Sequence, residues 1–462
     1  MLAPVQRILF TLLALPLLVL GFGPAVRADT IYVCWDGSGD YLTIQEGIDA
    51  AADGDEVVVC DGTYTGPGNK DLDFAGQAIV VRSENGPETC IIDCEGDGRG
   101  FYFHSGETAE AVVEGFTITD GDASYGGALR CNNSNPTITN CTISGNSASE
   151  DGGAVYCSNS NPTITDCTIS GNLAGNSAGD DGGAVYCYES NPTISNCTIS
   201  DNSAGNDGGG VYCFRSSPTI TNCRIAGNSA GDDGGGVCCI YKSSPTITNC
   251  TISGNSSAHC GGAIYCDRSG PAVSNSTIAY NSANYGGGVH CCYYSRPTIT
   301  NSILWADQPK EIFVASGEVI ATYSDIQGGW AGEGNIDEDP LFVADGPLGD
   351  YYLSQTAAGQ EQDSPCVDAG SDTAENLGLN TRTTRTDQVP DSGIVDMGYH
   401  YPIVCLGDLN DDGDTDQADL GILLADWGCD DPVNGCAGDL NGDDKTDQAD
   451  LGILLADWGC GT

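Results

Sequence analysis

The sequence predicts an all-β solenoid, a right-handed parallel β-helix, with a small α-helical module at its C-terminus. Three observations carry this prediction. The stretch GGAVYCSNSNPTITDCTISGN, residues 152 to 172, recurs with small changes. Its Gly-Gly pairs start at Gly126, Gly152, Gly182, Gly208, Gly234, Gly261 and Gly286, at intervals of 26, 30, 26, 26, 27 and 25. A period of that size marks stacked supersecondary units rather than one globular core. Within each unit apolar residues alternate with polar ones, the period of a strand. Finally, DQADLGILLADWGC occurs twice, at Asp416 to Cys429 and Asp447 to Cys460, so the chain ends in a duplicated unit of its own.

The 462 residues divide into five segments. Residues 1–28 read as a signal peptide: Arg7, an apolar run from Ile8 to Leu20 too short to span a bilayer, and small residues before a cleavage point after Ala28. Residues 29–125 form an N-terminal cap and first coils. Residues 126–304 are the Gly-Gly repeat. Residues 305–402 hold closing coils and a C-terminal cap, and 405–462 the terminal module.

Composition restricts the partners. Asp+Glu number 65 against 15 Lys+Arg, a formal charge of −50, and that field repels nucleic acid and anionic lipid. Calcium is the natural counter-ion outside a cell. The 24 cysteines also fit an exported, extracellular or cell-surface chain. No later run is apolar and long enough for an integral membrane span.

In the cap, Thr43 and Glu46 make a capping box, and Ile44, Ile48 and Ala51 share one face of a short helix. A strand from Glu56 to Cys60 follows. Cys34 and Cys60 each end an apolar run, which makes a bridge between them an expectation. The segment Asp36 to Tyr64 resembles the N-terminal cap of pectin-methylesterase and pectate-lyase-like β-helices, which implies fold and not catalysis.

Within a coil, Val155 and Cys157 point inward and Tyr156 outward; Ile164 points inward, as do Cys167 and Ile169. Asp166 sits at a bend. Other coils carry Asn140, Asn196, Asn222, Asn249, Asn275 and Asn301 there, and Asn tolerates a left-handed backbone. Three short strands per turn result. Gly152-Gly153-Ala154-Val155 and Ile169 to Asn172 resemble the repeats of polymorphic outer-membrane proteins, which implies a β-helical passenger or adhesin. After Ser302 the repeat loosens through Ile303 to Trp305, Glu311 to Val314 and Glu318 to Ile326. The segments around Tyr323 to Val343, Ser364 to Gly370 and Val395 to Gly398 resemble the ending of secreted bacterial β-helix proteins, which implies a cap over the last open edge.

The most specific chemistry lies in the terminal module. Asp408, Asn410, Asp412, Asp414, Asp416 and Asp419 occupy positions 1, 3, 5, 7, 9 and 12 of an EF-hand-type calcium loop, with Gly413 at position 6. The second loop has Asp439, Asn441, Asp443, Lys445, Asp447 and Asp450. Position 7 contributes its carbonyl, so Lys445 is tolerated there. Two loops in the same register predict two Ca2+ sites. Leu420, Leu423, Leu424 and Trp427, repeated at Leu451, Leu454, Leu455 and Trp458, mark the apolar face of the helix after each loop. The loop–helix pair, repeated, resembles a type I dockerin, which implies a cohesin-like or cell-surface partner. At loop positions 10 and 11, Gln417-Ala418 and Gln448-Ala449 depart from the Ser/Thr-type recognition residues of cellulosomal dockerins. The resemblance brings the ends of the module together and favours disulfides 405–460 and 429–436; 405–429 with 436–460 stays open.

Three columns remain on the repeat. Inward cysteines stack as Cys131, Cys157, Cys187, Cys213, Cys239, Cys266 and Cys291, and as Cys141, Cys167, Cys197, Cys223 and Cys250 followed by Ser276 and Ser302. Mostly structural thiols are expected, with bridges at outer positions such as Cys238 or Cys292. An outward column reads Arg130, Tyr156, Tyr186, Tyr212, Cys238, Tyr265 and His290, and the next turn adds Tyr188, Phe214, Tyr241, Tyr293 and Tyr294. With Arg215 and Arg268 this is the candidate ligand face, because exposed stacked aromatics pack against sugar rings. Asp151, Asp181, Asp207 and Asp233 precede their Gly-Gly pairs and are expected to splay into solvent, unless cations sit between them.

No catalytic constellation is visible: the histidines are scattered and the coils are regular. Two function classes stay open. One is an exported rod that binds polysaccharide or cell-surface material and docks through calcium loops. The other is a carbohydrate-active enzyme, a polysaccharide lyase or glycoside hydrolase of pectin-lyase-like fold.

Overall fold

A computed structural model describes residues 28–175, 179–344, 346–403, 405, 407–410, 415–429, 436–440, 445–456 and 458. The signal-peptide reading of 1–28 and the ligand positions Asp412, Asp414, Asn441 and Asp443 fall almost wholly outside them. Among the described residues no helix is long and apolar enough to cross a membrane.

Each coil repeats the same strands. In one of them these are Val155–Ser158, Thr163–Thr165 and Thr168–Ser170, then a two-residue strand, Leu173–Ala174. Successive coils pair in parallel and in register: Val155 lies between Leu129 and Val185, and Ile164 between Ile138 and Ile194. By position in the coil, the first, second and third sheets hold 9, 12 and 11 strands, and the fourth holds 6. The fourth sheet adds to the three strands expected. Pairs such as Ser147–Ala148 and Ser203–Ala204 are too short to carry an alternation.

Val155, Cys157, Ile164, Cys167 and Ile169 are all buried in the bore. The bend residues Asn140, Asp166, Asn196, Asn222, Asn249, Asn275 and Asn301 adopt φ of 49–56°, the left-handed region that favours Asn. Among the described residues Cys238 and Cys292 are free and buried, like the two inward cysteine columns. The expectation of outer bridges is therefore corrected: both pack as free thiols in one buried cluster with Tyr186, Tyr212, Cys260 and Tyr265. Cys34–Cys60 and Cys429–Cys436 are disulfides.

Buried polar side chains run the length of the rod. Asn146, Asn172, Asn202, Asn228, Asn255 and Asn281 are almost inaccessible. The side-chain amide of each donates to Oδ1 of the next, at 2.9–3.0 Å through Asn255. The backbone N–H of each donates to the same oxygen. Asp307 ends the column by accepting both bonds from Asn281. Its own N–H donates to Glu311 at 3.1 Å, and burial raises the pKa of both carboxyls. A serine column, Ser160 to Ser295, bonds in the same way, each backbone N–H to the next Oγ. The mixed Cys/Ser column follows suit. Cys223 N–H donates to Cys250 Sγ at 3.4 Å, and Cys250 N–H to Ser276 Oγ at 3.1 Å. Thiol and hydroxyl also both donate to the carbonyl two residues back. Cys and Ser interchange there because they do the same work.

At the N-terminal edge the helix Ile44–Ala50 carries the expected capping box and buries Ile44 and Ile48. At the other end Asn335 and Trp330 bond to Ala321 and Val319, covering the last coil. The tail then does more than cap. It runs back outside the rod, where Gly398 N–H donates to Asn301 O, Tyr399 N–H to Thr277 Oγ1, and His400 N–H to Asn249 Oδ1. His400 Nε2 meets Asp391 at 2.8 Å, and both are buried, so this pair is a clamp closed to solvent.

In the terminal module the helices Gln417–Ala425 and Gln448–Ala456 pack together. Leu423 and Leu454 are buried, but Leu424, Trp427, Leu455 and Trp458 are exposed, so only part of the expected apolar face turns inward.

Asn228→Leu leaves the amide of Asn202 without its acceptor, and urea denaturation should show a loss of about 1–3 kcal/mol. Cys223→Ser keeps both bond types and should cost under about 1 kcal/mol. Equal losses for the two variants would show that the columns act by volume alone.

Candidate functional site

The predicted ligand face divides into a covered part and an open part. Tyr156, Tyr186 and Tyr212 stack with ring centroids 5.0–5.1 Å apart. Tyr186, Tyr212 and Tyr265 are nevertheless buried, at 8%, 4% and 9% exposure, and Tyr156 is half-buried. The expectation of an exposed ladder is corrected here. The reason is the first glycine of each pair. Gly152, Gly182 and Gly208 have φ of 70–71°, and a Cβ at Gly182 or Gly208 would lie 2.8–2.9 Å from the Tyr Cβ below. This left-handed, side-chain-free turn folds the preceding loop back over the tyrosines.

The same fold-back places the Asp column. Asp151, Asp181 and Asp207 do not splay outward. Each Oδ1 accepts the backbone N–H of the next Asp, at 3.0–3.1 Å. Burial first, with neighbouring carboxylates, pushes Asp207 up to about 8 and Asp151 up to about 7.

The open part lies at the turn between the first and second strands. Tyr188 and Phe214 stack at 5.3 Å, and Phe214 meets Tyr241 at 5.2 Å. Arg215 lies over Phe214, and Arg268 lies over both Tyr241 and Tyr293, at 5.1–5.2 Å from the ring centroids. Arg215, Tyr241, Lys242, Arg268, Tyr293 and Tyr294 line a shallow pocket of about 680 Å3. Tyr294 is 85% exposed. Asn133 and Asn159 make this turn with φ of 56° and 50°, but Arg215, Tyr241, Lys242, Arg268, Tyr293 and Tyr294 adopt φ of 46–72° there. Left-handed backbone costs a non-glycine residue roughly 1–2 kcal/mol, and Asn bears it best. Arginine and tyrosine at that position favour surface chemistry over stability.

A second place escaped the sequence reading. On the third sheet the outward column reads Thr142, Thr168, Thr198, Arg224, Thr251 and Thr277, so Arg224 interrupts a run of threonines. The folded-back tail lies beside it and closes a cleft of about 510 Å3 lined by Arg224, Asn222, Ser253, Asp350, Tyr351 and Tyr399, among others. Arg224 also lines an adjoining hollow of about 250 Å3 with Asp201, Tyr280 and Tyr351. Burial holds the Tyr351 hydroxyl neutral and pushes Tyr399 up to about 12. The signal was the broken threonine column. The other wall comes from residues more than a hundred positions away.

In the terminal module Asp419 is buried and accepts the N–H groups of Leu409, Asn410 and Asp416, which keep its carboxyl below the ordinary range despite burial. Asp450 accepts Leu440 and Asp447 N–H in the same pattern. Asp416 caps its helix through Ala418 N–H, as Asp447 does through Ala449 N–H. Carboxylate and amide oxygens of this kind are the donors that calcium takes.

This architecture is that of a right-handed parallel β-helix protein. The family "Right handed beta helix region" matches residues 61–205 and 177–322, and the chain belongs to it. No curated protein matches the chain in sequence. Among solved structures, pectate lyase Pel9A matches with a TM-score of 0.53 at 14% identity, over 80% of this chain and 96% of its own. A likeness at that identity establishes shared fold. Pectin methylesterase from carrot matches with a TM-score of 0.30 at 13% identity, over 66% of this chain and 82% of its own, too loosely to bear on fold or function.

Because folding raises the Asp207 pKa, its contribution to stability is complete below the ordinary Asp value and is lost as pH rises through about 8. Asp207→Asn keeps an acceptor for Asp233 N–H. Its melting temperature should fall less than that of the wild type across that window.

Proposed function

We propose that the protein is a carbohydrate-active enzyme, a lyase or glycoside hydrolase, that takes an anionic polysaccharide with a sugar carboxylate on Arg224. One observation carries the reading: an arginine replaces threonine where the folded-back tail turns an open sheet face into a cleft. A chain of charge −50 repels acidic glycans in general, so a cation set among Tyr280, Tyr351 and Tyr399 gives a selective contact. The tyrosine rings supply faces for sugars, and Asp201 and Asp350 supply carboxylates for proton transfer. The fold shared with a pectate lyase favours an enzyme over a rod that only binds. Arg224→Ala should lower cleavage of a uronate polysaccharide at least about 100-fold, read by product absorbance and reducing ends. Full activity in that variant would sink this assignment.

A second reading, a rod that holds polysaccharide without cutting it, is favoured by the strained edge at Arg215, Arg268 and Tyr293. It predicts no product from any polysaccharide, together with retention on an acidic glycan that Arg268→Ala abolishes.

The C-terminal module is proposed to hold two Ca2+ ions in the loops starting at Asp408 and Asp439. It would dock the protein to a cohesin-like or cell-surface partner outside the cell. The exposed pairs Leu424/Trp427 and Leu455/Trp458 support a docking role. Calorimetric titration should give two sites that fall to one with Asp408→Ala or Asp439→Ala; no calcium heat at all would overturn the proposal.

A further inference from the structure

The Asp column ends in a change of chemistry. Going up the coils from Gly152, the residue before each Gly-Gly reads Asp151, Asp181, Asp207, Asp233, Cys260 and Tyr285, and the one before that reads Glu150, Asp180, Asn206, Asp232, His259 and Asn284. Strict register stacks them. Asp233 bridges Cys260 in parallel, and His259 N–H donates to Asp232 O at 2.9 Å. A histidine and a cysteine therefore lie directly above two aspartates.

The side chains converge. His259 Nδ1 lies 3.3 Å from Asp233 Oδ1 and 3.4 Å from Asp232 Oδ1. One ligand atom each from Asp233, His259 and Cys260 lies within 4.8 Å of the others. Asp233 Oδ1 is buried, its carboxylate is flanked by His259, Cys260 and Tyr265, and Cys260 is buried. Bonds of about 2.0–2.3 Å at tetrahedral angles put neighbouring donors about 3.3–3.8 Å apart, so these groups need only small rotations to share one ion. Carboxylate, imidazole and thiolate together suit a borderline-soft divalent ion and not calcium. The cluster opens on a cleft of about 540 Å3 lined by Tyr265, Tyr285, His290 and Cys292, among others.

We propose that Asp233, His259 and Cys260, with Asp232 beside them, form a zinc-type metal site on the flank of the rod, separate from the calcium loops and from the Arg224 cleft. The Gly-Gly turn fixes the backbone of Cys260, and the coil below fixes that of Asp233, so two of the ligands sit on a rigid frame. Binding would deprotonate the Cys260 thiol and release that proton to solvent.

The test uses Co2+ as the probe on the full chain, with excess Ca2+ present to fill the terminal loops and a non-chelating reductant. One equivalent of Co2+ should give visible tetrahedral d–d bands and a thiolate-to-cobalt charge-transfer band, and Zn2+ should displace it. Cys260→Ser should remove the charge-transfer band. His259→Ala, at an exposed side chain, should weaken Co2+ binding by at least about tenfold. Cys292→Ser, the neighbouring thiol, should leave the band in place. An absent charge-transfer band in the wild type, a band that persists in Cys260→Ser, or unchanged affinity in His259→Ala would each overturn the site.

Discussion

A buried polar group in this rod finds its partner in the coil above or below, and the rest of the structure depends on that constraint. In a globular core an asparagine amide can be satisfied from any direction. Here Asn172, Asn202 and Asn228 each face the same residue one coil away, so the register must be exact along the whole stack. The serine and Cys/Ser columns repeat the rule at two further corners. A slip of one residue anywhere would strand donors in all three columns. This explains how short three-residue strands, weak alone, hold a long solenoid in one register.

The coil was legible in the sequence because strand alternation has a period of two and the bend demands a left-handed residue. Val155, Cys157, Ile164 and the bend asparagines were placed from those two facts. Alternation says which residues point out of the bore, but not what lies over them. Tyr186 and Tyr212 point outward and are still buried, because Gly182 and Gly208 turn the preceding loop onto them. The same ignorance misplaced the Asp column. Arg224 went unnoticed for a further reason: its partners, Asp350, Tyr351 and Tyr399, come from a tail whose path along the rod leaves no periodic trace.

The sites proposed on this scaffold are exceptions to a column. Threonine gives way to Arg224, asparagine to Arg215 and Tyr241, and aspartate to Cys260. Each exception sits in a position whose backbone the repeat has already fixed. A site built this way is preorganised by its neighbours and needs no bespoke loop. The proposed calcium loops follow a different logic, since their candidate ligands lie on one short stretch of chain and are readable as a motif.

The asparagine column also has a direction. Within the column each amide donates to the next oxygen toward the C-terminal end, while it also donates to an isoleucine carbonyl one coil back; Asp307, which has no side-chain proton to give when ionised, is the natural last member. The start is equally defined, where Gly121 N–H donates to Asn146. Gene duplication can therefore lengthen the rod by inserting whole coils between these two termini without disturbing either. Addition beyond Asp307 would set the next amide's oxygen against an ionised carboxylate that has no proton to donate. Molecular length is thus free to evolve in steps of one coil, while the two ends stay under separate selection.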